Sequence, residues 1–409
     1  NTTPPRKHGR DLLSPFPGIP GEGTIAKLPS VLLPIFLLLA ASFALSFALT
    51  YAMIKLAPRI GFVDKPGHRK IHHNPKPLGG GVAMFGAFAI PLLGGILWNA
   101  ADPILGRFTP EGELTMALVH GATQQIPLAL GLLAAAFILH ILGLIDDKRA
   151  LGPYIKLFIQ LAVTAGFVAI FDVRAVTFLD NLGAGKLPSI IVTVLWIGTI
   201  TNAFNFLDNM DGLSAGVAAV CTTAFFITAV LIEQWFVAAT LALLLGAVLG
   251  FLYWNFPPAK IFMGDSGSLV LGFILGVLTV RTTFLPKGED LAAGWYAIFA
   301  PLIVLAVPLY DFLVVTVIRL SRGHSPFKGD TNHFSHRLCA RGMSRRTAVL
   351  CIYLVTAATS ASAIVLTQVR STLAAVLIFC QTILVLGLVA LLEQHPLPQA
   401  WRDDEQTGN

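Results

Sequence analysis

Long apolar runs alternate with short polar clusters along most of this chain. An α-helix needs about 20 predominantly apolar residues to cross a bilayer. Eleven runs approach this length, at roughly residues 31–54, 79–98, 126–145, 154–172, 188–206, 212–232, 235–255, 268–284, 295–318, 347–367 and 372–392. Outer-membrane barrels instead have alternating segments of about ten residues. The pattern therefore predicts an all-α, polytopic transmembrane helical bundle with about eleven spans.

The predicted spans form one transmembrane domain over residues 31–392, whose polar loops carry the functional groups. Residues 1–30 are rich in Pro and Gly and have no helical pattern, so we expect a flexible N-terminal tail there. Residues 393–409 are predicted to form a C-terminal tail.

Composition excludes several classes of protein. The chain is 55% hydrophobic and 12% charged, with a mean hydropathy of +0.74, whereas soluble domains carry about 25% charged residues. A soluble enzyme, a disordered protein and a disulfide scaffold are thereby excluded. The four cysteines are scattered and match no metal-binding spacing. The net charge of +6 is typical of basic cytoplasmic loops and does not require nucleic acid as a partner.

The distribution of Lys and Arg predicts the orientation. Eighteen of the 28 basic residues fall on one side of the predicted spans, if the loop after the first span is taken as cytoplasmic. Because cytoplasmic loops carry the excess of Lys and Arg, we expect the N-terminus outside and the C-terminus in the cytoplasm.

The same orientation places five polar clusters at the cytoplasmic face. They are DKPGHRKIHHNPKPLGGG at 64–81, the Asp–Asp pair at 146–147, NAFNFLDNMDGL at 202–213, NFPPAKIFMGDSGS at 255–268 and RGHSPFKGDTNHFSHRL at 322–338. The outward loops carry no comparable cluster. This sorting of Asp, Asn and His to one face indicates a functional site.

The carboxylates are the first candidates for chemistry. Asp146 and Asp147 end an apolar span, where catalysis and a charge pair balanced by the following Lys and Arg are equally good interpretations. Asn205, Asp208 and Asp211 recur every three residues, so on a helix they would cover a sector of about 120°. Polar groups at the tip of a membrane helix usually face a cavity or a partner.

A helix is predicted to begin at Asp265, between glycines and serines. Its free N–H groups would suit a phosphate. A role of Asp265, Ser266 or Ser268 as an N-cap alone is the competing interpretation.

The last cluster is rich in histidine and basic side chains. Two imidazoles beside an arginine, at His333, His336 and Arg337, could bind zinc or phosphate. Zinc needs three or four closed ligands, and an arginine fork fits phosphate oxygens, so phosphate is favoured. A hard cation such as Mg²⁺ combines carboxylates with substrate phosphates. The residues alone therefore indicate a membrane enzyme for a diphosphate substrate and a lipid.

These clusters, in this order and at these intervals, resemble the polyprenyl-phosphate N-acetylhexosamine-1-phosphate transferase family. The resemblance covers about residues 31–392, and the basic first cluster with KPLGGG is similar to the WecA-like branch. The family's reaction would be transfer of a sugar-1-phosphate, from UDP-GlcNAc or a related UDP-HexNAc, to undecaprenyl or another polyprenyl phosphate, with release of UMP. That step would initiate cell-envelope glycan synthesis at the bacterial inner membrane.

The resemblance also implies roles for individual residues. Asp265 would coordinate Mg²⁺, with Mn²⁺ as a substitute. The implied catalytic residues are Asp146, Asp147, Asp208 and Asp211. The implied substrate-binding residues are Asn202, Asn205, Asn255, Phe262, His333, His336 and Arg337. Phe262 would stack on uracil, Asp211 would contact it, and the histidines with Arg337 would hold the diphosphate. The bilayer is the other expected partner, nucleic acid is not expected, and a homodimer is left open.

Two alternatives stay open at this point. One is the MraY-type reaction with UDP-MurNAc-pentapeptide, which the altered histidine loop disfavours. The other is a transporter of a lipid or nucleotide sugar, which would need more polar residues deep within the spans. The chain departs from the family's HxHHRL pattern at Ser335. If His333, His336 and Arg337 carry the phosphate load, we expect Ser335→Ala to cost little, since a lone exposed hydroxyl contributes about 1 kcal/mol or less. We expect Ser335→His to be neutral or to raise activity.

Overall fold

The computed structural model describes residues 22–64, 75–105, 113–182, 184–282, 295–325, 332–369 and 371–393. Thirteen α-helices lie in this part of the chain. They are α1 Glu22–Arg59, α2 Gly80–Leu105, α3 Glu113–Lys148, α4 Pro153–Phe171, α5 Leu187–Leu207, α6 Leu213–Leu231, α7 Trp235–Asn255, α8 Asp265–Arg281, α9 Ala300–Val304, α10 Ala306–Ser321, α11 Phe334–Ala340, α12 Arg345–Leu366 and α13 Thr372–Leu392. Short 3₁₀ helices cover Thr177–Leu182 and Trp295–Phe299.

The all-α, polytopic prediction is confirmed. Nine helices within the described residues are long and apolar enough to cross a membrane: α1 to α7, α12 and α13. Helix α8, with 17 residues, is slightly shorter. The count of eleven spans and the sides of the two termini stay predictions.

Two predicted elements differ from the structure. The run at 295–318 is divided into a 3₁₀ turn, α9 and α10. Pro308 has no N–H to donate to Val304, so the helix cannot continue unbroken through Leu305. In addition, α1 already begins at Glu22, inside the segment predicted to be a flexible tail.

Helices α6, α7 and α8 form the centre of the bundle. Helix α7 packs against α1, α2 and α6, and α8 packs against α3 and α5. Helices α4 and α13 instead expose large apolar side chains, such as Phe158 and Leu384. Lipid tails are as apolar as leucine, so such faces can lie against them. The buried centre thus fixes the ends of α3, α5 and α8 relative to one another.

Glycines allow α2 and α3 to touch the first turn of α8. A Cβ atom added at Gly81 would lie less than 3.0 Å from the backbone of Gly267, and one at Gly143 would meet the backbone of Ser266 equally closely. A backbone obstacle cannot rotate away as a side chain can. These glycines therefore set the position of the α8 N-terminus.

A short antiparallel pair of strands ties the first polar cluster to the fourth. Strand β1, Val63–Asp64, pairs with β2, Lys76–Pro77. The Phe262 N–H donates to Pro77 O at 2.9 Å, and the Gly80 N–H donates to Phe262 O at 3.0 Å. Residues 65–74 of the first cluster lie outside the described part of the chain.

Candidate active site

Polar side chains from four helices meet at one end of the bundle. The group consists of Asp146, Asp147, Lys156, Asn205, Asp208 and Asp265, and we call it the acidic cluster. The end of α3, the first turn of α4, the end of α5 with the turn that follows it, and the start of α8 supply these side chains. Sequence-predicted residues that are up to 119 positions apart are thereby brought together.

Lys156 lies among the carboxylates. Its Nζ donates to Asp146 Oδ2 at 3.2 Å, to Asn205 Oδ1 at 3.3 Å and to Asp265 Oδ2. Asn205 Nδ2 in turn donates to Asp265 Oδ1 and to Ser268 Oγ, both at 2.9 Å. An ammonium group therefore occupies a position surrounded by hard oxygen atoms. The sequence signal was a lone lysine within the first turn of an apolar span, and the predicted site did not include it.

Asp147 caps helix α8 from outside. Its Oδ1 accepts from the Asp265 N–H at 2.8 Å, and its Oδ2 accepts from the Ser266 N–H at 3.1 Å. A carboxylate at a helix N-terminus complements the helix dipole. The prediction that these N–H groups bind phosphate is wrong in this structure, because Asp147 already occupies them. Neither serine is the cap, since Gly264 holds the N-cap position.

Two more residues on the face of α3 that carries Asp147, Gly143 and His140, contact the first turn of α8. Gly143 lies one turn before Asp147 on the same face. The buried His140 lies within hydrogen-bond distance of Ser266 O through its Nδ1, at 2.9 Å, and its ring stacks on Phe85. Sequence analysis missed His140. It lies three residues before Gly143 and seven before Asp147, and this spacing places all three residues on one helical face.

Asp208 and Asp211 do not continue the helical face predicted for them. Helix α5 ends at Leu207, and both residues lie in the turn before α6. Gly212, with φ +74°, allows the chain to reverse there. Removal from water and then the negative charges of Asp265 and Asp147 raise the pKa of Asp208 to about 8. The Asp208 carboxyl group therefore belongs to the acidic cluster electrostatically, although it is not on the predicted face.

Asp211 and Asn255 fasten the loop between α7 and α8. Asp211 Oδ2 accepts from the Ala259 N–H at 2.8 Å. Asn255 is buried, its Oδ1 accepts from the Gly212 N–H at 3.0 Å, and its Nδ2 donates to Ile261 O at 2.8 Å. Direct substrate binding was predicted for Asn255, but both ends of its amide are engaged by the main chain. Asn255 therefore links the turn that contains Gly212 to the loop that contains Ile261.

Two further predicted substrate-binding residues are Asn202 and Phe262. Asn202, one turn deeper in α5 than Asn205, donates to Gln160 Oε1 at 2.9 Å and to Gly198 O. Phe262 is half-buried on the loop that pairs with Pro77 and Gly80. The predicted stacking of Phe262 on a base stays a prediction.

His333 is oriented by a buried carboxylate on α10. His333 Nδ1 is 2.8 Å from Asp311 Oδ2, and Asp311 Oδ1 accepts from the Phe334 N–H at 2.6 Å. Arg319 approaches His333 Nε2 and lies over the ring of Phe206. His336 follows on α11, with its ring beside that of His333. Sequence analysis did not assign Asp311 or Arg319 to the site.

Arg337 does not present its guanidinium group to the acidic cluster. Its Nε and Nη2 donate to the two carboxylate oxygens of Glu393, at 2.8 Å and 3.0 Å. Tyr310 and Arg341 also bond to Glu393, and burial raises the pKa of that carboxyl group. That the Arg337 fork holds a diphosphate stays a prediction. In this structure the end of α13 supplies an acidic partner for the fork that the sequence pattern did not reveal.

The acidic cluster has the donor set of a site for a hard cation completed by substrate. Within the part of the chain that the structure describes, no three His, Cys, Asp or Glu side chains are close enough to hold a metal ion together. The ammonium group of Lys156 nevertheless marks a position for positive charge between Asp146, Asn205 and Asp265. Mg²⁺ suits such a position, because it commonly takes one or two carboxylates and completes its shell with phosphate oxygens and water.

Comparisons with known proteins agree with this arrangement. The chain matches glycosyl transferase family 4 over residues 129–283, the segment that holds the whole acidic cluster. It is 33% identical over 331 residues to a probable undecaprenyl-phosphate N-acetylglucosaminyl 1-phosphate transferase of Bacillus subtilis strain 168, with 80% of this chain and 83% of the relative covered. The chain belongs to glycosyl transferase family 4.

Two further relatives come from other bacteria. The decaprenyl-phosphate N-acetylglucosaminephosphotransferase of Mycobacterium tuberculosis H37Rv is 32% identical, with 73% of this chain and 74% of the relative covered. The undecaprenyl-phosphate alpha-N-acetylglucosaminyl 1-phosphate transferase of Escherichia coli K12 is 28% identical, with 74% and 76% covered. The resemblance to the WecA-like branch is thus confirmed. The relatives favour neither the MraY-type alternative nor the transporter.

Proposed function

We propose that this family 4 transferase moves GlcNAc-1-phosphate from UDP-GlcNAc to a polyprenyl phosphate, with release of UMP, at the cytoplasmic face of a bacterial inner membrane. In the net reaction, an oxygen of the lipid phosphate forms a bond to the β-phosphorus of UDP-GlcNAc. The bond from that phosphorus to the oxygen of UMP breaks. The observation that carries the proposal is the meeting of Asp146, Lys156, Asn205 and Asp265 at one end of an apolar bundle.

The two adjacent aspartates have different roles in this proposal. Asp147 uses both carboxylate oxygens to cap α8, so we assign it to the positioning of Asp265 and not to proton transfer. Asp146 bonds the Leu151 N–H through Oδ1 and Lys156 through Oδ2. A shift of Lys156 toward substrate would free Oδ2. Asp146 is therefore the residue we assign to deprotonation of the lipid phosphate.

Lys156 and a divalent cation would share the work of charge neutralisation. Asp265 and Asn205 would hold Mg²⁺, or Mn²⁺ in its place, and the metal would neutralise developing phosphate charge. Lys156 would then exchange its carboxylate contacts for diphosphate oxygens. Positioning and charge stabilisation of this kind supply most of the catalysis of phosphoryl transfer.

The test is transfer of radiolabel to lipid by the purified protein. UDP-GlcNAc, UDP-GalNAc, UDP-glucose and UDP-MurNAc-pentapeptide, each labelled in the sugar, are supplied with undecaprenyl phosphate and Mg²⁺. We expect lipid-extractable label from UDP-GlcNAc and loss of transfer when the metal is chelated. Label from UDP-MurNAc-pentapeptide alone would support the MraY-type reaction, and label from no donor would count against a transferase of this class.

Asp265→Asn tests the site assignment in the same assay. We expect a fall in turnover of about 100-fold or more, because loss of one preorganised charge-stabilising group has effects of this size. Asp172→Asn is the matched control. Asp172 is exposed at the other end of α4 and has φ +51°, a conformation that Asn tolerates. Near wild-type turnover of Asp265→Asn, with unchanged Mg²⁺ dependence, would remove Asp265 from the metal site.

A further inference from the structure

Ser335 is buried against the turn that carries two of the predicted catalytic aspartates. Its side chain has about 1% of its surface exposed. Its Oγ donates to Asn209 Oδ1 at 2.6 Å. The expectation that this hydroxyl is exposed is therefore wrong. Ser335 connects α11, the histidine helix, to the segment between α5 and α6.

Asn209 transmits this contact to the main chain. Its Nδ2 donates to Phe206 O at 2.7 Å, in the last turn of α5. Asn209 follows Asp208 directly and lies two residues before Asp211. A displacement of Asn209 therefore moves both carboxylates, since the peptide units between them are rigid and short.

Two other helices hold the far side of the same turn. Asn255 at the end of α7 accepts from the Gly212 N–H, and Tyr353 of α12 donates to Gly212 O. Between residues 208 and 212, the contact with Ser335 fixes the first half of the turn and these two contacts fix the second half. Among these contacts, only that of Ser335 comes from the helix that follows His333.

We propose that Ser335 is a positioning residue, whose hydroxyl acts through Asn209 to hold the turn of Asp208 and Asp211 in register with the helix that carries His333 and His336. The small buried hydroxyl of Ser335 and the side chain of Asn209 form a matched pair in this chain. The inference rests on the proposed function for its kinetic effect.

The test combines kinetics with a measurement that needs no activity. Ser335→Ala, Ser335→His, Asn209→Ala and the double variant Ser335→Ala with Asn209→Ala are compared with the wild type. Ser321→Ala is the matched control, because Ser321 is an exposed hydroxyl at the end of α10 that bonds only Ile318 O among the contacts described. Hydrogen–deuterium exchange of the peptide covering residues 205–213 reports the order of the turn.

We expect faster exchange in this peptide for Ser335→Ala, and a fall of about tenfold in kcat/KM for the UDP-sugar, because Asn209 Oδ1 loses a buried partner. The double variant should lose no more than the worse single variant, since both substitutions break one contact. Ser335→His should lose more than Ser335→Ala, because it adds volume to a packed site. The Ser321→Ala control should match the wild type.

Three results would overturn the inference. They are exchange and kinetics of Ser335→Ala equal to those of Ser321→Ala, losses that multiply in the double variant, and full activity of Ser335→His. A wild type that transfers no label would count against the proposed function instead. The exchange of the 205–213 peptide would then still decide whether Ser335 holds the turn, and Asn209→Ala tests the contact from its other side if Ser335→Ala does not fold.

Discussion

The guanidinium group of Arg337 forms a two-pronged ion pair with Glu393, in place of the phosphate contacts that the sequence pattern implied. The arginine belongs to α11, and the glutamate follows α13 directly. Both side chains are largely buried. The pair therefore holds the histidine helix against the last helix of the bundle, and this role needs the planar fork of arginine.

We expect Arg337→Lys and Glu393→Gln to lower the stability of the protein more than its affinity for the UDP-sugar. Loss of a charged hydrogen bond costs about 1.5–3 kcal/mol, and an ammonium group cannot replace the fork. The double variant should lose no more than Glu393→Gln alone. Apparent Tm in detergent and KM for the UDP-sugar, measured on all three variants, check this.

Arg322→Lys is the control for this prediction. Arg322 is exposed and donates to Asn332 Oδ1 at 3.2 Å. Its replacement by Lys should therefore leave both the apparent Tm and the KM for the UDP-sugar unchanged. A normal Tm with a raised KM for Arg337→Lys would restore the phosphate-binding interpretation of this residue.

At the scale of elements, the site depends on how closely α3 approaches the first turn of α8. His140, Gly143 and Asp147 contact Asp265 or Ser266 from one face of α3. Gly143 has no side chain, and this absence allows the backbones of α3 and α8 to approach each other. Without that close approach, Asp147 could not reach the N–H groups that fix Asp265.

Gly143→Ala should reduce Tm and turnover together. The added methyl group would meet backbone atoms of α8, and overpacking of this kind costs about 1–3 kcal/mol. Gly121→Ala in the same helix is the control, because its Cβ would meet open space. The measurement is apparent Tm together with label transfer at saturating substrates, and equal behaviour of the two variants would show that the contact between α3 and α8 is not tight.

At the scale of the whole molecule, the polar chemistry lies at one end of the bundle. Helix α5 has 21 residues between Lys186, its N-cap, and Asp208, so these two residues lie about 33 Å apart. That distance matches the apolar thickness of a bilayer. Lys186 therefore lies at the end opposite the acidic cluster, while Lys260 belongs to the loop beside it.

Single cysteines at these two lysines test the predicted orientation. Both side chains are exposed, and the background is a variant without Cys221, Cys339, Cys351 and Cys380. In intact cells, an impermeant maleimide should label Lys186→Cys and should reach Lys260→Cys only after permeabilisation. The reverse labelling pattern would invert the topology, and labelling of both in intact cells would contradict a bundle that spans the membrane.

The local sequence determined which segments form helices and which polar residues are candidates for the site. Apolar runs long enough for a bilayer predict helices, because a backbone in lipid must satisfy its hydrogen bonds internally. The polar clusters between the runs identified Asp146, Asp265 and Asn205 as site residues that the tertiary structure then brings together. The resemblance to the transferase family rested on the same clusters, and the comparisons with known proteins confirmed it.

Only the tertiary structure decided which polar groups are partners. Lys156 meets Asp265 across 109 residues, and Arg337 meets Glu393 across 56. Ser335 meets Asn209 across 126. Spacing along a chain constrains contacts within one helix, whereas these pairs depend on how closely separate helices pack. For that physical reason the sequence identified the groups of the site, and the packing of the bundle assigned them to phosphate, to a helix end or to one another.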